Sequence, residues 1–262
     1  MLSRELHVAQ AAARAAGRIV RDYYERGCEV RQKGHDNPVT EADLLANECI
    51  REMIQAAFPD DGWLSEETAD SRARLQQRRV WIVDPLDGTK EFINRIPELC
   101  VCIAFVEGGV PLIGVEFNPI RDEMFTAAPE SGLRLNGEPA HVSDVAELAR
   151  ARVLASRSED HRGEWDPFKS LMQVVLTGSV AYKLALIAVG RGDATFSLTP
   201  KNEWDVCAGA ALIQAGGGTI TDIHGQPLRF NRPDPKLPGI IATNGVLFDP
   251  IRDLLSAIAN RQ

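Results

Sequence analysis

Apolar residues recur every three or four positions from Arg4 to Tyr24, where Leu6, Ala9, Ala13, Ala16, Val20 and Tyr23 share one side of a helical wheel. This spacing predicts a first amphipathic helix, with Gly27 as its stop. The polar stretch KGHDNPVTEAD, Lys33 to Asp43, reads as a turn leading into a second helix over Glu41 to Ala57, with Thr40 as its cap. Pro59 and the DDG around Asp61 interrupt the pattern before GWLSEET. The apolar run Val80 to Val83 predicts a short strand that enters a turn at Asp84 to Gly88 and then a helix start. Beyond it, LCVCIAFVEGGVPLIGVEFNP reads as two strands joined by a Gly-Gly turn, and DEMFTAAPESGLRLNG continues in short strands.

Past about Ala146 the rhythm changes to strands alternating with helices. RVLAS, QVVLT, ATFSL, GGTI and GIIAT read as strands; helical patterns fall near Trp165, over Val180 to Val189, over Trp204 to Ala215 and at the end. The expected fold class is therefore α/β. An α+β half over residues 1–146, a helix pair plus antiparallel sheet, precedes an α/β half over 147–262. The absence of a long linker or internal repeat predicts two tightly packed halves rather than tethered domains.

Composition narrows the functional classes. With 44% hydrophobic and 25% charged residues in 262, the chain reads as a soluble globular protein. The N-terminal stretch mixes charges with small apolar residues and reads as a helix rather than a leader, and no apolar run reaches membrane length. Five scattered cysteines without a C-x-x-C pair suit free thiols in a reducing cytoplasm; Cys100 and Cys102, two apart in a strand, are expected to pack together in the core. A net charge of -8 argues against a nucleic-acid polymer as partner. It leaves room for a small phosphorylated metabolite if bound cations supply local positive charge.

The residues that carry such chemistry cluster in a few places. Asp84 and Asp87 flank Pro85 and Leu86 right after the Val80 strand, so one tight turn can aim two carboxylates and a backbone carbonyl at one point, the oxygen-rich environment that magnesium prefers. Gly88 and Thr89 follow at a helix start, where unpaired N–H groups can receive a phosphate and the Thr89 hydroxyl can orient a water. Glu66-Glu67 and Asp205 also stand at element ends beside apolar residues, outside charge runs. Each of these pieces taken singly is more simply a turn, a solvated loop or a helix cap; together they point to a metal site. None of the five histidines, His7, His35, His141, His161 and His224, falls in such a segment, and surface or structural roles are expected for them.

PVTEAD at Pro38 to Asp43, LSEE at Leu64 to Glu67, DPLDGT at Asp84 to Thr89 and EWDVCAG at Glu203 to Gly209 stand in the order and spacing of the inositol monophosphatase-like family of metal-dependent, lithium-sensitive phosphatases. The chain resembles that family over nearly its whole length. The resemblance implies a layered αβαβα sandwich with the site at the junction of the halves, and two or three Mg²⁺ ions as cofactor. Glu66, Asp84 and the Leu86 carbonyl would hold one ion, and Asp84, Asp87 and Asp205 a second; a further ion would share Glu66. Thr89, paired with Asp43, would orient the attacking water. Lys33 stands at the family's position for a lysine near the site, and Glu67 would support Glu66. Monomer and homodimer are equally compatible with the sequence.

Within the family, DGTKEF at Asp87 to Phe92 and SRS at Ser156 to Ser158 resemble the 3′(2′),5′-bisphosphate nucleotidases. Arg157 and Lys201 are then candidate contacts for a second phosphate. Inositol phosphatases place a ring-binding Glu several residues before the Trp-Asp pair; here the position falls on Ser197 or Leu198. The role of Lys183 in GSVAYK stays open. The resemblance thus points first to hydrolysis of adenosine 3′,5′-bisphosphate. Inositol 1-phosphate, histidinol phosphate and fructose 1,6-bisphosphate are the alternatives, and a catalytically lapsed metal- or RNA-binding relative is the non-enzyme one.

Overall fold

The computed structural model describes residues 2–34 and 37–259; His35 lies outside the described residues. Helix α1 (Ser3–Arg26) is followed by strands β1 (Val30–Gly34) and β2 (Asn37–Thr40), helix α2 (Glu41–Ala57), strands β3 (Gly62–Ser65) and β4 (Arg79–Asp87) and the short helix α3 (Thr89–Ile93). Strands β5 (Cys100–Glu107), β6 (Val110–Asn118), β7 (Glu123–Ala128), β8 (Gly132–Leu135) and β9 (Glu138–Pro139) complete the first part. Then come β10 (Arg152–Ala155), α4 (Arg157–His161), β11 (Gln173–Leu176), α5 (Val180–Ala188), β12 (Ala194–Ser197), β13 (Lys201–Asn202) and α6 (Glu203–Ala215). The chain ends with β14 (Thr219–Thr221), β15 (Lys236–Leu237), β16 (Ile240–Thr243) and α7 (Phe248–Ala259).

Five layers result. Strands β3 to β9 form one seven-stranded sheet in chain order, antiparallel apart from the β3–β4 pair. The small apolar face of α1, with Ala9, Ala13, Ala16 and Val20 buried, packs with Ile50 and Ile54 of α2 against one side of that sheet, on Trp81, Phe105 and Val115. Helices α5 and α6 fill the other side. A five-stranded sheet, order β11-β10-β12-β16-β14, lies beyond them, and its outer face is covered by Leu247, Ile251 and Leu255 with Trp165 and Phe168. This is the αβαβα sandwich. Helix α6 is apolar almost all round because it is buried between two sheets.

Several local expectations need correction. The segment before Asp43 is not simply a turn: Val30–Gly34 and Asn37–Thr40 pair as an antiparallel hairpin. The helical stretch expected near Trp165 lies earlier, at Arg157–His161, because Gly163 takes a left-handed φ of 77° and Pro167 removes an N–H donor just beyond. Trp165 instead sits in a series of turns and packs edge-on against Phe168 and at a tilt against Phe196. Strand β3 is only four residues long, too short to show in the hydropathy pattern. Cys100 and Cys102 are buried on one face, among the core side chains.

Candidate active site

Strand β4 does not stop at Val83; it runs to Asp87 through a bulge. Asp84 pairs with Cys102 and Asp87 with Cys100, so three steps along β4 match two along β5. Cys100 and Cys102 share a face, and the extra residue therefore brings Asp84 and Asp87 to the same side. Pro85, which has no N–H for the ladder, occupies the bulge. The Leu86 N–H donates to Asp84 Oδ1 at 2.9 Å, closing the turn on the carboxylate.

Asp205 arrives from the other half. It is the third residue of α6, and its Oδ2 accepts the N–H of Asn202 at the helix start, 3.2 Å away. Glu66 follows β3, whose parallel register with β4 sets Ser65 beside Val83 and Glu66 at the level of Asp84. Its loop is tied to α2: Ser65 Oγ donates to Asn47 Oδ1 at 2.6 Å, and Asn47 Nδ2 to Thr68 Oγ1 at 3.1 Å. Oxygens of Glu66, Asp84 and Asp205 lie within 4.8 Å of one another. Asp87 stands alongside, its Oδ2 accepting Ser179 Oγ and the Ala181 N–H at the start of α5.

Burial, joined by the charges of Glu66 and its neighbours, pushes the carboxyls of Asp84 and Asp205 well above the usual range; burial also raises Asp87. Four crowded carboxylates, Asp84 buried and the other three half-buried, are unstable as anions unless cations sit among them. The donor set is all oxygen, with Asp84, Asp87 and Asp205 each held by a hydrogen bond on one oxygen and open on the other, which fits a hard divalent ion such as magnesium. When bound, such ions supply positive charge for phosphate oxygens and lower the pKa of nearby water.

Thr89 opens α3 immediately after Gly88, whose φ of 99° and 2.8 Å approach of an added Cβ to the Glu98 carbonyl leave room for glycine only. The Thr89 hydroxyl lies 3.0 Å from Asp43 Oδ1 and 3.2 Å from the Leu86 carbonyl. Its proton is committed to these acceptors, so its oxygen is left to accept a hydrogen bond from a water in the cavity. Asp43, raised by burial against the bonds from Thr40 and Thr89, is placed to receive a proton relayed through Thr89 Oγ1.

Glu66, Leu86, Asp87, Thr89 and Asp205 line one side of a cavity of about 500 Å³ that also takes in Gly88, Lys90, Glu91, Arg157, His161 and Lys183. Lys33 Nζ bridges Glu66 (2.8 Å) and Glu67 (2.6 Å), which places Glu67 one step behind Glu66. Arg157 reaches the cavity, but Glu98 holds its guanidinium through two hydrogen bonds, one at 3.1 Å, and the Leu176 carbonyl accepts a third at 3.2 Å. Lys201 does not line the cavity; it pairs with buried Glu159 at 3.0 Å. His7, His141, His161 and His224 are exposed. A second, more apolar cavity of about 280 Å³ beside Trp165, Phe168 and Phe196 contains none of the acidic cluster.

Three groups escape sequence reasoning. Glu98 fixes Arg157 and also accepts the Gly178 N–H, and Ser179 holds Asp87; both lie in loops with no pattern to mark them. Glu116 is fully buried in β6 opposite Cys102, and neither of its oxygens has a hydrogen-bond partner among the described residues. A Glu where strand alternation demands an apolar residue was the available signal.

A layered α/β fold that converges four carboxylates, a carbonyl and a threonine on one cavity defines a metal-assisted hydrolase site. The model of the inositol monophosphatase family matches residues 1–259, and the chain belongs to that family of phosphatases, which depend on metal ions, typically Mg²⁺. Among relatives, inositol monophosphatase 3 of Solanum lycopersicum is 34% identical over 256 residues, covering 93% of each chain. The structure of inositol monophosphatase from Anabaena (Nostoc) sp. PCC 7120 superposes with a TM-score of 0.82 at 31% identity, over 98% of this chain and 96% of that one. CysQ from Bacteroides thetaiotaomicron, a bacterial member of the family, gives a TM-score of 0.73 at 30% identity over 92% and 97%. No described helix is long and apolar enough to cross a membrane.

Proposed function

We propose that this phosphatase is a 3′(2′),5′-bisphosphate nucleotidase acting on adenosine 3′,5′-bisphosphate, with two or three Mg²⁺ ions held by Glu66, Asp84, the Leu86 carbonyl, Asp87 and Asp205. Water attacks phosphorus, the ester P–O bond breaks, and the ribose oxygen leaves with a proton. The observation that carries the substrate reading is the loop before α6. Where an inositol phosphatase would offer a ring-binding carboxylate, Ser197 turns inward to Glu159 at 2.6 Å and Leu198 is 54% exposed and apolar. Neither can accept hydrogen bonds from ring hydroxyls as a carboxylate does.

Inositol 1-phosphate is the second reading, favoured by the likeness to inositol monophosphatase 3 over 93% of the chain. Phosphate release from a panel that includes both compounds, histidinol phosphate and fructose 1,6-bisphosphate distinguishes them. The expected result is a kcat/KM preference of about ten- to a hundredfold for the bisphosphate nucleotide, the value of one charge-assisted contact to a second phosphate. Faster hydrolysis of inositol 1-phosphate overturns the nucleotidase reading and leaves the phosphatase class intact.

A further inference from the structure

The outer face of α1 has no part in the site described above, yet it gathers positive charge. Arg14, Arg18 and Arg21 stand at spacings of four and three, so all three project from one side of the helix, and all three are exposed. They span about 10 Å along its axis. Arg21 has an acidic partner in Glu25 at 3.5 Å, in a pair more than half open to solvent. Neither Arg14 nor Arg18 has a hydrogen-bond or ion-pair partner among the described residues, whereas Arg79, Arg157 and Arg191 are each locked to a carboxylate.

Beneath these guanidinium groups lies a notch of about 150 Å³ between α1 and the turn from β6 to β7, lined also by Gly17, Phe117, Pro119 and Asp122. Gly17 shapes it: an added Cβ would come within 2.5 Å of the Phe117 ring, so the helix settles on the ring with no side chain between them. The floor is therefore apolar and the rim cationic. Arg14 holds its guanidinium over Phe117, 5.6 Å from the ring centroid, which orders it before any partner arrives. The notch lies on the opposite side of the seven-stranded sheet from α5 and α6, and none of its residues lines the cavity of about 500 Å³.

Charge decides the occupant. The chain as a whole carries -8, and acidic groups flank the arginines, Asp122 on the rim and Asp22 and Glu25 one turn further along α1. A nucleic-acid strand has a phosphate at every step and would run from the arginines into those carboxylates. An acidic peptide places its charges only where the guanidinium groups stand, and about four extended residues cover the same 10 Å. The notch has room for the end of one side chain, and a glutamate suits it, with its methylenes on Phe117 and Pro119 and its carboxylate among planar donors.

We infer that this face of α1 is a docking surface for an acidic segment of a partner protein, with one glutamate seated in the notch between Arg14, Arg18 and Arg21. Docking there leaves the catalytic cavity open, so partner and substrate are held at the same time.

Fluorescence anisotropy of fluorescein-labelled hexaglutamate with wild type, Arg18→Glu and Arg252→Glu tests this. Arg252 lies on α7 in the opposite outer layer, so the second variant makes the same change in net charge far from the notch. Wild type should bind the peptide saturably at low salt and more weakly as salt rises. Arg18→Glu should weaken binding by about tenfold or more, and Arg252→Glu by no more than about twofold. Hydrolysis of p-nitrophenyl phosphate should be the same in all three proteins, which checks their folding. Should Arg18→Glu fail to fold, Arg14→Gln/Arg18→Gln takes its place. Equal losses in the two variants, or no saturable binding by wild type, overturn the docking surface. Tighter binding of an oligothymidylate than of hexaglutamate, lost in Arg18→Glu, overturns the acidic segment in favour of a nucleic acid.

Discussion

Asp43 and Asp205 occupy the same position in two helices from different layers: each is the third residue of its helix and reaches back to the N–H of the capping residue. Asp43 Oδ2 accepts from Thr40 at 2.8 Å, and Asp205 Oδ2 from Asn202 at 3.2 Å. The local sequences are parallel, Thr-Glu-Ala-Asp and Asn-Glu-Trp-Asp. Each cap fixes one oxygen and turns the other outward, past a helix end whose dipole favours negative charge. The outward oxygen of Asp43 meets Thr89, while Asp205 joins Glu66 and Asp84. One capping device thus presents a carboxylate oxygen to the Thr89 hydroxyl in one half and to the acidic cluster in the other.

Asp84→Asn should abolish Mg²⁺-dependent turnover while preserving the fold. Asp84 is buried at the centre of the cluster, and Glu66, Asp87 and Asp205 all act on its charge. Neutralising it should lower kcat by about a thousandfold or more, roughly 4 kcal/mol in the barrier. In the absence of metal, thermal melting should stay level or rise, because one of the crowded charges is gone. Turnover within a few-fold of wild type at saturating Mg²⁺ would contradict this role for Asp84.

Thr89→Ala should reduce kcat by about a hundredfold or more, within the range for a positioned proton-transfer group. The hydroxyl joins Asp43 to the cavity, and nothing else among the described residues spans that gap. Thr89→Ser keeps the oxygen and should retain most activity. Similar activity in the Ala and Ser variants would show that the hydroxyl does not order the water.

How much of this was legible in the sequence depends on scale. Asp84, Asp87, Thr89, Glu66 and Asp205 could be found because each stands in a short motif at an element end, where turn chemistry is local. The bulge that brings Asp84 and Asp87 to one face was not, since it exists only through pairing with Cys100 and Cys102. Arg157 was legible as a basic residue near the site, but its capture by Glu98, fifty-nine positions away, is a tertiary fact. The long helices α1 and α2 follow from 3.6-residue periodicity, whereas four-residue β3 is set by its neighbour β4.

Glu116 offers a test of electrostatics away from the capping motifs. Its carboxyl is fully buried, has no hydrogen-bond partner among the described residues, and is held well above the usual value of 4.5 by burial and then by the charge of Asp87. The folded chain therefore keeps a proton that the unfolded chain releases at ordinary pH. For a group raised in this way, the stabilising contribution is complete below the unfolded value and is lost as pH climbs toward the folded one. Glu116→Met, similar in volume and free of polar atoms, removes that dependence along with an unsatisfied group that costs about 1 to 3 kcal/mol. Urea melts should therefore show the variant more stable than wild type near neutral pH, by a margin that widens as pH rises and narrows toward about pH 4.5. A variant destabilised at every pH would instead mean that the carboxyl is satisfied in solution, for example by a buried water bridging it to the Asp87 side of the sheet.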